Sequence, residues 1–304
     1  MPPNDLAGEA VVPEASWGAP VGQASAPALR KLWLCADDYG ISPAVNRAIR
    51  DLIGRGRINA TSVMVTAPSF SADEAGALSG IDSCGRRAAI GLHFTLTAPF
   101  RPSVHGYRPA VADGTFLRLP HTLATGLLRR LDPGALAAEA ASQFAAFQSA
   151  FGRPPDFVDG HQHVHLLPQV SDAVLAVVKQ MAPGAWIRQC GRTMPLPQRW
   201  GDPKGLLLDR LSTRLRARCA ASGVRTNPAF AGTYDFTRAV EFEALFGSFL
   251  QGLPDGGLVM CHPGFVDAEL QRLDELTTMR EQEYGFFAGE RFPALMAANG
   301  FSLA

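Results

Sequence analysis

The sequence predicts an α/β fold: an irregular (β/α) barrel of about seven parallel strands in a single domain. Short apolar runs alternate with longer segments of helical period, the order that gives parallel strands with helical crossovers. The first run, Leu32–Ala36, is continuously apolar, as expected of a parallel strand covered on both faces. Six or seven such runs can be counted, which favours a closed barrel over an open doubly wound sheet.

Leu32–Ala36 is the first run. Ser42-Pro43 then reads as an N-cap followed by proline at the first helical position, with Val45, Ile49, Leu52 and Ile53 at helical spacing. Ile58–Val65 is a second strand, Ala88–Phe94 a third and Asp156–Gly160 the end of a fourth. Ala185–Arg188 and Gly257–Cys261 are further strands. Helical stretches cover Gly134–Phe151, Val170–Met181, Leu206–Ala221 and Ala239–Leu250. The segment from Thr95 to about Pro133 holds several prolines and glycines without a clear period, and at that length reads as a functional loop or lid.

Of the 304 residues, 47% are hydrophobic and 18% charged, enough apolar material for a substantial core. Twenty-eight basic residues balance 28 acidic ones, which argues against a nucleic-acid partner. Five scattered cysteines without a CxxC pair read as reduced thiols of a cytoplasmic protein. No apolar stretch approaches the ~18 residues that span a bilayer. Residues 1–29, rich in Ala, Pro and Gly and without Lys or Arg before Arg30, are expected to form a disordered tail ahead of a barrel over 30–304.

The chemistry gathers where strands end. The first ends in Asp37-Asp38, the third in "GLHF" with His93, and the fourth in "DGHQHVH" with Asp159, His161, His163 and His165. A late strand ends in "MCHPGF" with His262. Five of the seven histidines thus lie at or just after strand ends, which in parallel α/β folds converge on one face. Taken singly, each has a plainer reading: an acid pair at a helix entry, an interior histidine, a surface His tract. Their joint placement favours a divalent metal held by His and carboxylate, with a further carboxylate free to act as a base. On a strand Asp37 and Asp38 would point to opposite sides, until the strand bends into its loop. In an extended segment His161, His163 and His165 would share a face, so periodicity does not separate them.

The blocks "ADDYGISPAVNRAI", "TSVMV", "IGLHFTLT", "FGRPPDFVDGHQHVHLLP" and "MCHPGFVD" resemble, in order, those of the YdjC/ChbG/HpnK family of carbohydrate deacetylases, over about Lys31 to Phe301. The resemblance implies an irregular (β/α) barrel that removes acetyl groups from N-acetylated sugars with one divalent metal ion. Zn²⁺ suits the donors best, with Mg²⁺, Mn²⁺ or Co²⁺ as alternatives. Carried over by motif, Asp38, His93 and His161 would be metal ligands, Asp37 the general base and His262 the general acid. Asp159, His163, His165 and Arg188 would support the centre or bind substrate. Arg188 would hold Asp37 ionised or touch substrate, unless it makes an ordinary surface ion pair. The chain has Gln162 where the family often has a third consecutive histidine, and Tyr39 where it commonly has Phe. The implied substrate is a chitooligosaccharide or an N-acetylglucosaminyl glycolipid such as a hopanoid, and the implied assembly a homodimer. A metal-dependent phosphoesterase and a non-catalytic sugar- or lipid-binding barrel are the competing readings. The first lacks a Gly-rich phosphate loop in the sequence.

Overall fold

The apolar run at Leu32–Ala36 is the interior of a longer strand, β1 (Arg30–Tyr39), in a computed structural model that describes residues 28–81, 88–192, 202–236 and 240–304. The expected tail falls almost wholly outside these residues. From β1 the chain alternates as predicted: α1 (Pro43–Gly54), β2 (Ala60–Val63), α2 (Ala72–Ser79), β3 (Ala89–Phe94), α3 (Leu119–Leu127), α4 (Pro133–Phe151) and β4 (Phe157–Gly160). A 3-10 turn over His161–Leu166 leads into α5 (Pro168–Met181), β5 (Trp186–Ile187), α6 (Pro203–Ala221), β6 (Phe230–Ala231), α7 (Phe242–Leu250) and β7 (Gly257–Cys261). The chain closes with α8 (Ala268–Leu273), α9 (Thr278–Ala288), α10 (Arg291–Ala298) and β8 (Phe301–Leu303). The helix expected from Ala239 begins at Phe242; Ala239 itself lies outside the described residues.

Seven parallel strands form one curled sheet in the order β5-β4-β3-β2-β1-β7-β6, and β8 pairs in parallel with the first residues of β1. The two ends of the path meet through single parallel bridges, Ile187 to Thr226 and Arg192 to Phe230, in place of a full ladder. This is the irregular, single-domain barrel the sequence predicts. β1 is central because its apolar residues need cover on both faces: Leu32, Leu34, Cys35 and Ala36 are all fully buried.

Helix α1 shows how local signals place the acids. Ser42 Oγ accepts from Val45 N–H, Pro43 opens the helix, and Val45, Ile49, Leu52 and Ile53 form its buried face. Asn46 on the same helix accepts from Gly40 N–H at 2.6 Å and donates to the Ser69 carbonyl. Gly40 has φ +103 and turns the chain directly after the acid pair.

Two sequence readings are corrected. The segment 95–133 is not all loop: α3 lies within it, with Leu119, Leu123 and Leu127 at four-residue spacing. The "HQHVH" segment is not extended, because Gln162 and His163 adopt φ 54 and 61 inside the 3-10 turn. The shared-face arrangement of its three histidines is thereby lost. β6 and β8 were too short to stand out as apolar runs.

Candidate metal centre and active site

Both opening acids reach one cavity because β1 bulges. Its register against β2 runs Ala36 to Thr61 and then Tyr39 to Val63, one residue longer on the β1 side. The extra residue is accommodated with Asp38 at φ 71, a left-handed conformation that Asp tolerates better than most residues. Strict alternation would have sent Asp37 and Asp38 to opposite faces. With the bulge, both line a cavity of about 750 Å³ together with His93, His161, His163 and His262.

Asp38, His93 and His161 come together on its floor. His161 Nδ1 lies 3.0 Å and His93 Nε2 3.3 Å from Asp38 Oδ1, and one donor atom from each residue fits within 4.8 Å of the others. Two imidazole nitrogens and a carboxylate oxygen are the donor types of a catalytic divalent site with open positions. His93 Nδ1 bonds Asp159 Oδ1 at 2.6 Å, an arrangement that orients the ring and aims Nε2 at Asp38. Burial alone would lower the His93 pKa, but Asp159 and Asp37 push it up to about 10. Burial likewise opposes ionisation of Asp38, yet Arg280 and the two imidazoles hold it well below the usual carboxylate range.

A second cluster, Cys35, Asp37 and Asp159, has metal-like spacing but no room for a cation. The Arg188 guanidinium fills it, pairing with Asp37 at 2.6 Å and Asp159 at 2.5 Å and touching Cys35 Sγ at 2.9 Å. Burial would raise the Asp37 carboxyl; Arg188 overrides it and keeps Asp37 far below its ordinary value. Ser62 Oγ lies 3.1 Å from Asp37 Oδ1 and 3.0 Å from His93 Nδ1, linking the two clusters. Arg188 is fully buried, so its pairing with Asp37 is not an ordinary surface ion pair.

The remaining histidines part company. His163 lines the cavity, 3.5 Å from Cys190 Sγ and edge-on to Phe230. His165 turns away and donates from Nε2 to the Arg188 carbonyl at 2.8 Å, and burial lowers its pKa to about 4. It supports the arginine from behind the wall, as Asp159 supports His93. His262 follows β7, faces the cavity and packs edge-on against Phe236 at 5.1 Å. Burial lowers its pKa too, against the pull of Asp38 and Asp37.

Two α9 residues escaped the sequence reading. Arg280 pairs with Asp38 and Asp274, and Glu283 accepts from the His262 backbone N–H at 2.5 Å and from Tyr234 Oη at 2.6 Å. Both are buried charges on the face that carries Met279 and Phe287, positions at which helical period alone assigns apolar side chains.

Fold and cluster together define a class: a parallel α/β barrel with a two-histidine, one-aspartate centre at the C-terminal ends of its strands. Within it the chain belongs to the YdjC-like protein family, whose sequence model matches residues 31–298. A chitooligosaccharide deacetylase of Serratia marcescens is 30% identical over 283 residues, covering 88% of this chain and 94% of that protein. A chitooligosaccharide deacetylase of Yersinia pestis is 28% identical over 247 residues, with 77% and 82% covered. A crystal structure from Enterococcus faecalis V583, described as a proposed cellobiose-phosphate cleavage protein, shares the fold with a TM-score of 0.68. It is 22% identical, and 91% of this chain and 97% of that one are covered. No helix among the described residues is long and apolar enough to cross a membrane.

Proposed function

We propose that this protein is a metal-dependent carbohydrate N-deacetylase, hydrolysing the acetamide of an N-acetylated amino sugar to acetate and a free amine. The observation that carries the reading is the convergence of Asp38, His93 and His161 beside Asp37 and His262 on one cavity. The deacetylase relatives support it.

In this reading Asp38, His93 and His161 hold a divalent cation, Zn²⁺ by preference for this donor set and Mg²⁺, Mn²⁺ or Co²⁺ otherwise. When bound, the cation supplies Lewis-acid polarisation of the amide carbonyl. Asp37, kept ionised by Arg188, accepts a proton from the attacking water. The same pairing limits its basicity, so Asp37 gives the proton up to solvent water once the attack is complete. His262 takes a proton from solvent water and delivers it to the leaving nitrogen, since an unprotonated amine leaves poorly.

Part of the cavity lining favours a substrate with an apolar portion. Leu119 and Leu123 of α3, Leu167, and Leu207, Leu208 and Leu211 of α6 line it beside polar Gln162, Thr233, Thr277 and Gln282, a mixture that suits a sugar head carrying an apolar tail. We therefore place a glycolipid ahead of a chitooligosaccharide. The phosphoester reading finds little footing, because among the described lining residues Lys204 is the one Lys or Arg.

Acetate release is the test, measured over N-acetylglucosamine, chitobiose and N-acetylglucosaminyl lipids, with and without chelator. Release from the lipid that chelator abolishes and added Zn²⁺ restores is expected. No release from any of them sinks the deacetylase reading.

A further inference from the structure

Arg280 is fully buried, and its Nη2 donates to Asp38 Oδ2 and Asp274 Oδ2, each at 2.7 Å. Its Nε donates to the Leu276 carbonyl at 2.8 Å. Asp38 Oδ1 faces the other way, towards His161 Nδ1 and His93 Nε2. A charge-assisted hydrogen bond to one oxygen fixes the carboxylate's rotation. Asp38 has need of such a hold, since it sits in a bulge where no regular ladder sets its direction. Asp274 in turn belongs to the segment 274–279 that lines the cavity, and it anchors the guanidinium through the same Nη2 that meets Asp38.

We propose that Arg280 is a positioning residue for the metal centre. Held by Asp274, it takes Asp38 Oδ2 so that Oδ1 alone is presented to the point shared with His93 and His161. The inference rests on the metal-dependent reading above. It has a sign that simple electrostatics does not share. A permanent positive charge beside the site repels a cation, so if charge were its whole effect, removing Arg280 would tighten binding. A positioning role predicts the opposite.

The test titrates metal-free wild type, Arg280→Met and Asp274→Asn with Zn²⁺ against a chromophoric chelator, and records the visible absorption of their Co²⁺ forms. Arg280→Met is expected to weaken Zn²⁺ binding about 10- to 100-fold, the range seen when partners that orient metal ligands are removed, and to shift the Co²⁺ bands. Asp274→Asn should weaken binding in the same direction by less. Equal or tighter binding by Arg280→Met, with an unchanged Co²⁺ spectrum, overturns the proposal. Should that variant lack a cooperative melt, Arg280→Lys decides: it keeps the positive charge but not the planar fork that meets Asp38 and Asp274, and Zn²⁺ binding equal to wild type there overturns the proposal. A wild type that binds no divalent cation overturns the metal-dependent reading itself and this inference with it. Binding by wild type with unaltered variants overturns this inference only.

Discussion

Arg188 grips Asp37 with both terminal nitrogens, Nη1 to Oδ2 at 2.6 Å and Nη2 to Oδ1 at 2.7 Å, and the same guanidinium reaches Asp159. All three side chains are essentially excluded from water. Replacing Arg188 with Met would leave two buried carboxylates without their cation, a loss on the order of 3–5 kcal/mol for a broken buried pair. Urea denaturation of the metal-free protein measures it. A loss under about 1 kcal/mol, the scale of an exposed pair, would mean that the cluster relaxes or admits water.

Asp37→Asn preserves shape while removing the proton acceptor. Because Asp37 is not one of the proposed ligands Asp38, His93 and His161, cation content by elemental analysis should stay near one per chain. Turnover should fall about 10²- to 10⁴-fold, the usual contribution of a positioned acid or base. Undiminished acetate release would remove Asp37 from the base role.

His262→Ala separates chemistry from binding in the same way. The ring packs on Phe236, while the metal cluster is built from β1, β3 and the 3-10 turn. Turnover should drop much further than Zn²⁺ affinity. Parallel loss of both would place His262 among the ligands.

Much of this is legible in sequence, because the acids and histidines stand at the ends of strand-like segments and the Ser42 cap marks the start of the first crossover helix. What stayed hidden has physical causes. The bulge at Asp38 is a one-residue register change that no pattern of side chains announces. The 3-10 turn depends on left-handed backbone at Gln162 and His163, which sequence period would place in a strand. Arg280 and Glu283 look like the solvated face of a polar helix, and only the tertiary pairing with Asp38, Asp274 and Tyr234 makes their burial affordable. Arg188 was named, but its depth was not, since a two-residue strand such as β5 carries no periodic signal.

Glu283 gives a pH signature. Burial pushes its carboxyl from 4.5 to about 7. Between those values the folded protein holds a proton that the unfolded chain has released, so stability falls as pH rises. The contribution is fully present below 4.5 and gone above about 7, a change on the order of 3 kcal/mol at 1.36 kcal/mol per unit. Glu283→Gln keeps an acceptor for the His262 N–H and a donor for Tyr234, and does not titrate. Denaturation at pH 4.5, 6 and 8 should show a shallower decline in the variant than in wild type. Matching slopes would assign the decline to other groups.

The leucine wall makes the last prediction, about which substrates are accepted. Leu123 on α3 and Leu208 on α6 both line the cavity and are only partly buried, though each also packs against the core, so a cooperative melt near that of wild type is required of the variant before its kinetics are read. In Leu123→Gln/Leu208→Gln, an apolar aglycone loses part of the burial that each leucine offers, roughly 1.5–3 kcal/mol per fully buried side chain. Partial exposure reduces that figure, and kcat/KM for an N-acetylglucosaminyl lipid should fall about tenfold or more, since each 1.36 kcal/mol is a factor of ten. N-acetylglucosamine carries no apolar tail, so in this reading it should react within about a factor of two of wild type, as expected of changes that touch no bound atom. Equal losses on both substrates would make the wall a structural element of the site. No loss on either would put the apolar portion elsewhere and return the chitooligosaccharide to first place.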